Sequence, residues 1–268
     1  MIYINYDKTE KIKDWSLNSI YVVADFDRTL TNGYSKSSWN LIPKSGLITE
    51  AYNEERKAMY EHYYPIEMSN DISYHEKCAM MNEWWNKCIS LLVKYNVSEE
   101  LIEQITSNPN FMKFRDGAKE LLKWLSDNNI PVIIISAGIG NFVERFLIMN
   151  NCYYDNIHII SNFIEFKNGI AVGMIGDIIH SINKNEIYSS IKIKDIIKGR
   201  ENPILLGNAL GDCLMVPNEK REIAFKIGFY EEETNDNLDQ FKECFDVVCT
   251  NNTSYNELID KIKSYYNK

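Results

Sequence analysis

Six short apolar runs, rich in β-branched residues, punctuate the 268-residue chain: Ile20–Ala24, Pro131–Ile135, Ile157–Ile160, Pro203–Leu206, Ile223–Ile227 and Asp246–Cys249. Each is too short for a helix, and each is followed by a small or polar residue. Between several of them lie stretches of helical period, such as Gly117–Asn128, with Ala118, Leu121, Leu122 and Leu125 on one face, and Phe142–Asn150. Strands that alternate with helices build βαβ units, because a parallel neighbour needs a crossover long enough to hold a helix. The expected fold is therefore α/β, with a Rossmann-like, mostly parallel sheet. In such sheets, ligands bind beyond the carboxyl ends of the strands.

One region breaks the alternation. From Thr31 to about Arg115 the chain is rich in aromatic and charged residues, with helix-like stretches at Ile48–His62 and His75–Tyr95 and no strong buried strand. This predicts a mainly helical insertion over residues 32–115, capping a core domain made of residues 1–31 and 116–268. A second departure, Ser161–Gly176, reads as a β-excursion. A length of 268 residues suits such a core carrying an insert.

The formal charge of −9 and pI near 5.1 argue against nucleic acid and anionic membrane surfaces as partners. No stretch approaches the roughly 20 apolar residues that span a bilayer. The start, Met1–Lys8, lacks the basic and apolar regions of a signal peptide. The six cysteines form no CxxC pair and no cluster with histidine, which favours reduced thiols, a cytoplasmic setting and no structural zinc.

Four places on this frame carry chemistry. The first is Asp25-Phe26-Asp27-Arg28-Thr29, directly after an apolar run. At an extended strand end, residues i and i+2 point the same way, so both carboxylates can face one site. Two anions held together repel unless a cation or a shared proton intervenes. One carboxylate can attack phosphorus, the other can move a proton, and a hard cation such as magnesium relieves the repulsion. Alone, the motif is equally compatible with a polar turn.

The second is Ser136-Ala137-Gly138-Ile139-Gly140, after a strand and opening a helix, where a hydroxyl and free amides suit an anion. A capped turn has the same pattern. The third is Lys184, which is able to neutralise a phosphoryl group or is simply solvated. The fourth is Gly207-Asn208-Ala209-Leu210-Gly211-Asp212, with two candidate metal ligands, Asn208 and Asp212. Any polar loop is also rich in these residues.

Taken in this order, the four resemble the motifs of the haloacid dehalogenase superfamily of phosphohydrolases. The strings Pro131–Gly140, Ile160–Phe163, Ile179–Lys184 and Leu205–Asp212 are similar to the cytosolic pyrimidine 5'-nucleotidase type III (UMPH-1) family. So are Tyr64-Pro65-Ile66-Glu67 and Glu83-Trp84-Trp85 in the insertion. The resemblance implies a haloacid-dehalogenase-like core and a Mg2+-dependent hydrolysis of a small phosphomonoester, a nucleoside 5'-monophosphate, through an aspartyl-phosphate. Asp25 would be the nucleophile and a metal ligand; Asp27 would be the general acid/base, its carbonyl also on the metal. Ser136, the Ala137 amide, Gly138 and Lys184 would hold the phosphate. Glu67 would meet the nucleoside, and Tyr64, Trp84 and Trp85 could stack its base. Asn208 and Asp212 would complete the metal site, and Thr29 would fix the loop that aims Asp27.

Two positions depart from the family. It usually has aspartate at Asn208, so one negative charge fewer faces the metal. It tends to have a substrate-contacting serine at Cys88, and a thiol is a poor hydrogen-bond partner. The alternatives are a phosphatase of the same superfamily acting on another phosphomonoester, and a weakened nucleotide-binding protein. Base preference and oligomeric state are not encoded in any of these motifs.

Overall fold

The computed structural model describes residues 1–5, 9–69, 71–184, 191–197, 199–231 and 237–266. Its centre is an eight-stranded sheet in the order β1-β8-β7-β6-β2-β3-β4-β5. The strands are β1 (Ile2–Ile4), β2 (Ile20–Ala24), β3 (Val132–Ile139), β4 (Ile157–Lys167), β5 (Ile170–Ile175), β6 (Asn202–Gly207), β7 (Phe225–Tyr230) and β8 (Val247–Thr250). The six inner strands pair in parallel, and β1 and β5 close the edges antiparallel to β8 and β4. All six apolar runs lie on strands, although the fifth begins two residues later than its pattern suggested. Edge strand β1 was not expected: three residues beside the chain start give no periodicity to read.

Parity decides which side of the sheet each residue serves. Val22, Ala24, Val132, Ile134 and Leu206 enter one buried cluster, and Tyr21, Val23, Ile133, Ile135 and Leu205 enter another on the opposite side. Both faces are thus covered, which is why these strands read as unbroken apolar runs rather than as alternations.

Between β2 and β3 the chain is helical: α1 (Ser38–Lys44), α2 (Glu50–Met68), α3 (Tyr74–Lys94) and α4 (Glu99–Thr106). Thr49, Ser73 and Ser98 cap the last three, each accepting from an amide of the first turn. Helix α2 outruns its expected end at His62 and passes through Pro65. Its terminal turn survives because the Lys77 ammonium donates to the carbonyls of Glu67 and Ser69, satisfying helix-end acceptors. This keeps Glu67 on an ordered helix. Helix α1 was not foreseen; its seven residues contain Pro43 and too few apolar positions to show a period.

After the insertion come α5 (Ala118–Asp127) and α6 (Gly140–Met149), then α7 (Ile191–Ile196), α8 (Leu238–Cys244) and α9 (Tyr255–Tyr266). The β-excursion is the β4–β5 hairpin; its tip meets α4, where the Glu99 amide donates to the Gly169 carbonyl at 3.0 Å. Cys213 and Cys244 are brought side by side, while Cys78, Cys88, Cys152 and Cys249 are free. The two meet because the turn after β6 packs on α8, a contact across 31 residues that no local spacing announces.

Candidate active site

Register brings the site together. Ala24 lies opposite Ile134 on β3 and Leu206 on β6, and the Asp25 amide donates to the Leu206 carbonyl at 2.9 Å. The residues one or two positions further along, Asp25, Ser136 and Gly207-Asn208, therefore emerge side by side at the carboxyl edge. A cleft opens there, lined by Asp25, Asp27, Ser136, Ala137, Gly138 and Asn208 from the sheet edge, with Glu67 and Trp85 from the insertion.

Asp25 is only 5% exposed. Its Oδ1 accepts from Lys184 Nζ at 2.6 Å and its Oδ2 from Thr29 Oγ1 at 3.2 Å. Lys184 Nζ also donates to Asp212 Oδ1 at 2.8 Å, so one buried ammonium stands between two buried carboxylates. Burial pushes Asp25 up to about 7; Lys184 pulls against this, while Asp212 and Asp27 add to it. Burial also works against the Lys184 charge, but Asp212 and Asp25 outweigh it and hold the ammonium above the ordinary lysine range.

Asp27 is aimed differently. Its Oδ2 accepts from the Ser38 amide at 3.0 Å and the Ser38 hydroxyl at 3.1 Å, while its buried Oδ1 has no hydrogen-bond partner. Burial raises Asp27, and the two bonds from Ser38 oppose the rise. The threonine roles divide in a way the sequence did not suggest. Thr29 serves Asp25, and Thr31 closes the loop, its Oγ1 accepting from the Arg28 amide at 2.7 Å. That amide belongs to a residue at φ +61°, a left-handed turn that needs holding.

Arg115 does most of the holding. It is 1% exposed and lies 4.2 Å over the Phe229 ring. Its guanidinium donates to the carbonyls of Arg28, Thr29 and Thr253 and to Asn252 Oδ1, and it pairs with Glu231 at 3.3 Å. Nothing in its local sequence marked it, because its partners are far along the chain.

The Ser136 segment differs from the helix N-terminus that was expected. Residues 136–139 continue β3 irregularly, and α6 starts only at Gly140. The Gly138 amide donates to Ser136 Oγ at 3.1 Å and the Ile139 amide to Ser38 Oγ at 3.0 Å, so both are consumed within the protein rather than offered to an anion. Glycine at 138 is required by close approach: a Cβ there would stand 2.0 Å from Ser38 Oγ. The Ala137 carbonyl accepts three bonds, from Trp39 Nε1 at 2.9 Å, Trp85 Nε1 at 3.0 Å and Asn162 Nδ2 at 2.9 Å. Two indoles of the insertion thus grip the loop that carries Ser136.

Asp212, expected as a metal ligand, is held within its own loop. Its Oδ2 accepts from the amides of Asn208 and Ala209 at 2.9 and 3.0 Å, and its Oδ1 is taken by Lys184. Both oxygens are occupied in shaping the loop. The carboxylates of Asp25 and Asp27 and the side-chain amide of Asn208 are among the groups that line the cleft. These are hard oxygens of the kind magnesium takes, and the unpartnered Asp27 Oδ1 fits a site for a cation or a proton. Among the described residues no group of three or more His, Cys, Asp or Glu forms a metal cluster; magnesium ordinarily completes its shell with waters and substrate phosphate oxygens.

Cys88 is not brought to the cleft. It packs at the edge of the cluster of Tyr63, Met81, Trp84 and Trp85, and burial pushes its thiol up to about 11. Of the proposed base-stacking rings, Trp85 lines the cleft, Trp84 lies stacked on Tyr63 at 5.7 Å, and Tyr64 stacks on Tyr60 at 4.7 Å. Ser38, Trp39, Ser181 and Arg115 are the polar contributors that local spacing did not flag.

The profile of the family described as Pyrimidine 5'-nucleotidase (UMPH-1) matches residues 25–263. A relative from Homo sapiens, named 7-methylguanosine phosphate-specific 5'-nucleotidase, is 34% identical over 239 residues, covering 85% of this chain and 79% of its own. A crystal structure of cytosolic 5'-nucleotidase IIIB bound to cytidine superposes with a TM-score of 0.82 at 25% identity, covering 99% of this chain and 95% of that one. Phosphoserine phosphatase in its apo form is 19% identical with a TM-score of 0.55, covering 91% of this chain and 98% of that one, which shows a shared fold.

Proposed function

The chain belongs to the pyrimidine 5'-nucleotidase (UMPH-1) family, and from that premise we propose that it hydrolyses a nucleoside 5'-monophosphate through an aspartyl-phosphate on Asp25. The observation that carries this is the Asp25 carboxylate, locked between Lys184 and Thr29 in the lining of a cleft that Asp27 shares.

The Asp25 carboxylate attacks phosphorus, and the bond to the 5' oxygen breaks. Lys184 stabilises the charge gathering on the transferred phosphoryl group. Asp27 Oδ2 is held by Ser38, so Oδ1 is the atom that gives its proton to the departing oxygen. Once the nucleoside has left, Asp27 Oδ1 takes a proton from water, which attacks phosphorus and frees Asp25. Ser136 Oγ and the Ala137 amide hold the phosphate oxygens. Asp25, the Asp27 carbonyl and Asn208 would hold Mg2+, which when bound neutralises carboxylate and phosphate charge and polarises the phosphoryl group.

The insertion, taken as a cap over residues 32–115, supplies Glu67 and Trp85 for the leaving group. The Homo sapiens relative is named for a methylated purine nucleotide and the superposed structure binds a pyrimidine nucleoside, so the substrate class assigned here is the nucleoside 5'-monophosphate, without a base. The name of a Caenorhabditis elegans relative, Putative cytosolic 5'-nucleotidase 3, supports a cytoplasmic setting, and no helix among the described residues is long and apolar enough to cross a membrane.

The test is a phosphomonoester panel at fixed magnesium that includes pyrimidine 5'-monophosphates and 7-methylguanosine 5'-monophosphate. Nucleotides should be turned over faster than simple phosphate esters, excess EDTA should stop turnover, and Asp25→Asn should abolish phosphate release. Full activity of Asp25→Asn would refute the mechanism.

A further inference from the structure

We propose that Ser181 positions Glu67 for the nucleoside half of the substrate and so sets the preference for nucleotides over simple phosphate esters. This rests on the nucleotidase assignment above. Ser181 stands in the core loop between β5 and Lys184, and its hydroxyl donates to Glu67 Oε1 at the end of α2, 114 residues away. Both residues line the cleft.

Each partner is pinned from its own side. The Ser181 loop is bound to itself through His180 N to Asn183 Oδ1 at 2.8 Å and Asn183 Nδ2 to the Ile178 carbonyl at 2.9 Å. Asn162 holds it to the sheet by bonds of 2.7 and 2.9 Å to the Ile179 carbonyl and amide. The same Asn162 Nδ2 reaches the Ala137 carbonyl, so the loop shares a strut with the phosphate-holding segment. On the other side, Lys77 fixes the helix end that bears Glu67.

A carboxylate on a glutamate stem samples several rotamers, and one hydrogen bond from a rigid loop selects one of them. With Oε1 taken by Ser181, Oε2 is the oxygen presented to a hydroxyl or amino donor of the nucleoside. A substrate without a nucleoside has no group for Glu67 to meet, so the Ser181 contact bears on one substrate class and not the other.

The experiment compares the full-length protein with Ser181→Ala, Ser181→Thr and Glu67→Gln, measuring kcat and KM on the preferred nucleoside 5'-monophosphate and on phenyl phosphate. In Ser181→Ala, the ratio of kcat/KM for nucleotide to that for phenyl phosphate should fall about tenfold, the scale of one lost hydrogen bond, chiefly through nucleotide KM. Ser181→Thr keeps the hydroxyl and should recover most of the ratio, and Glu67→Gln should lower it at least as far as Ser181→Ala does. Equal losses on both substrates, or no recovery in Ser181→Thr, would mean that Ser181 is only a strut and would overturn the proposal. A wild-type protein with no preference for nucleotides would overturn the nucleotidase assignment instead, and this inference with it.

Discussion

Replacing Lys184 by methionine removes the positive charge that bridges Asp25 and Asp212. The methylene stem is retained, so packing changes little. The ammonium sits 2.6 Å from one carboxylate and 2.8 Å from the other, with side-chain exposures of 7%, 7% and 3% for Lys184, Asp25 and Asp212. Breaking a buried pair leaves uncompensated charge in a poorly solvated place and costs about 3–5 kcal/mol. The solvent-exposed pair Lys123–Asp127, with exposures of 63% and 58%, is screened by water and contributes little.

Urea unfolding at pH 7.5 in EDTA should therefore show Lys184→Met destabilised by about 3–5 kcal/mol and Lys123→Ala scarcely changed. The pH dependence has a definite sign. A carboxylic acid whose folded pKa is raised favours folding below its unfolded pKa, and that contribution is lost as pH rises through the folded value. Asp25 is raised to about 7 even with Lys184 present, so the wild-type protein loses stability from its carboxylate as pH climbs from about 4 to about 7. Without the ammonium, Asp25 rises further, so the deficit of Lys184→Met should shrink at pH 5 and widen at pH 8. A deficit under about 1 kcal/mol, or one that widens on acidification, would refute the claim that these charges are buried and coupled.

Three other outcomes follow from the same geometry. Asn208→Asp adds a negative charge beside Asp25 and Asp27 and should lower the magnesium concentration for half-maximal activity by roughly tenfold, on the scale of one added close charge; titration of activity against Mg2+ measures it. Gly138→Ala puts a methyl 2.0 Å from Ser38 Oγ and should displace the group that aims Asp27, so kcat should fall at least about tenfold with a smaller change in KM. Cys88→Ser, away from the cleft, should leave nucleotide kcat/KM within about twofold; a tenfold change would return that side chain to the substrate.

The sheet was legible because its central strands are buried on both faces and so show as apolar runs, and because the small or polar residues that follow Ala24, Ile135 and Leu206 end those runs. Asp25, Asp27 and Asn208 were visible for the same reason: charge and amide at the end of a buried strand stand out. Ser38, Trp39 and Arg115 were not, since a serine or an arginine acquires its meaning only from partners 11 to 138 residues distant. Asp212 was found, but which atoms its two oxygens meet is information the sequence does not carry. The same holds for Cys88, placed by resemblance at the substrate and by packing behind the tryptophans.

Arg115 has a consequence for the order in which the protein assembles. The turn at Arg28 and Thr29 follows the nucleophile by three residues, yet it is tied down by an arginine 86 to 87 positions later. That arginine is in turn secured at Asn252 and Thr253, 137 to 138 positions beyond it. Chains emerge from the ribosome N-terminus first, at about 5–20 residues per second, so Asp25 waits roughly 10–45 s before the last of these anchors is made. During that interval β2 can pair with β3, but its catalytic end has no lock. Chemistry written at the beginning of the chain is therefore completed near its end, and a nascent protein stalled short of Thr253 carries its nucleophile on an unsecured loop.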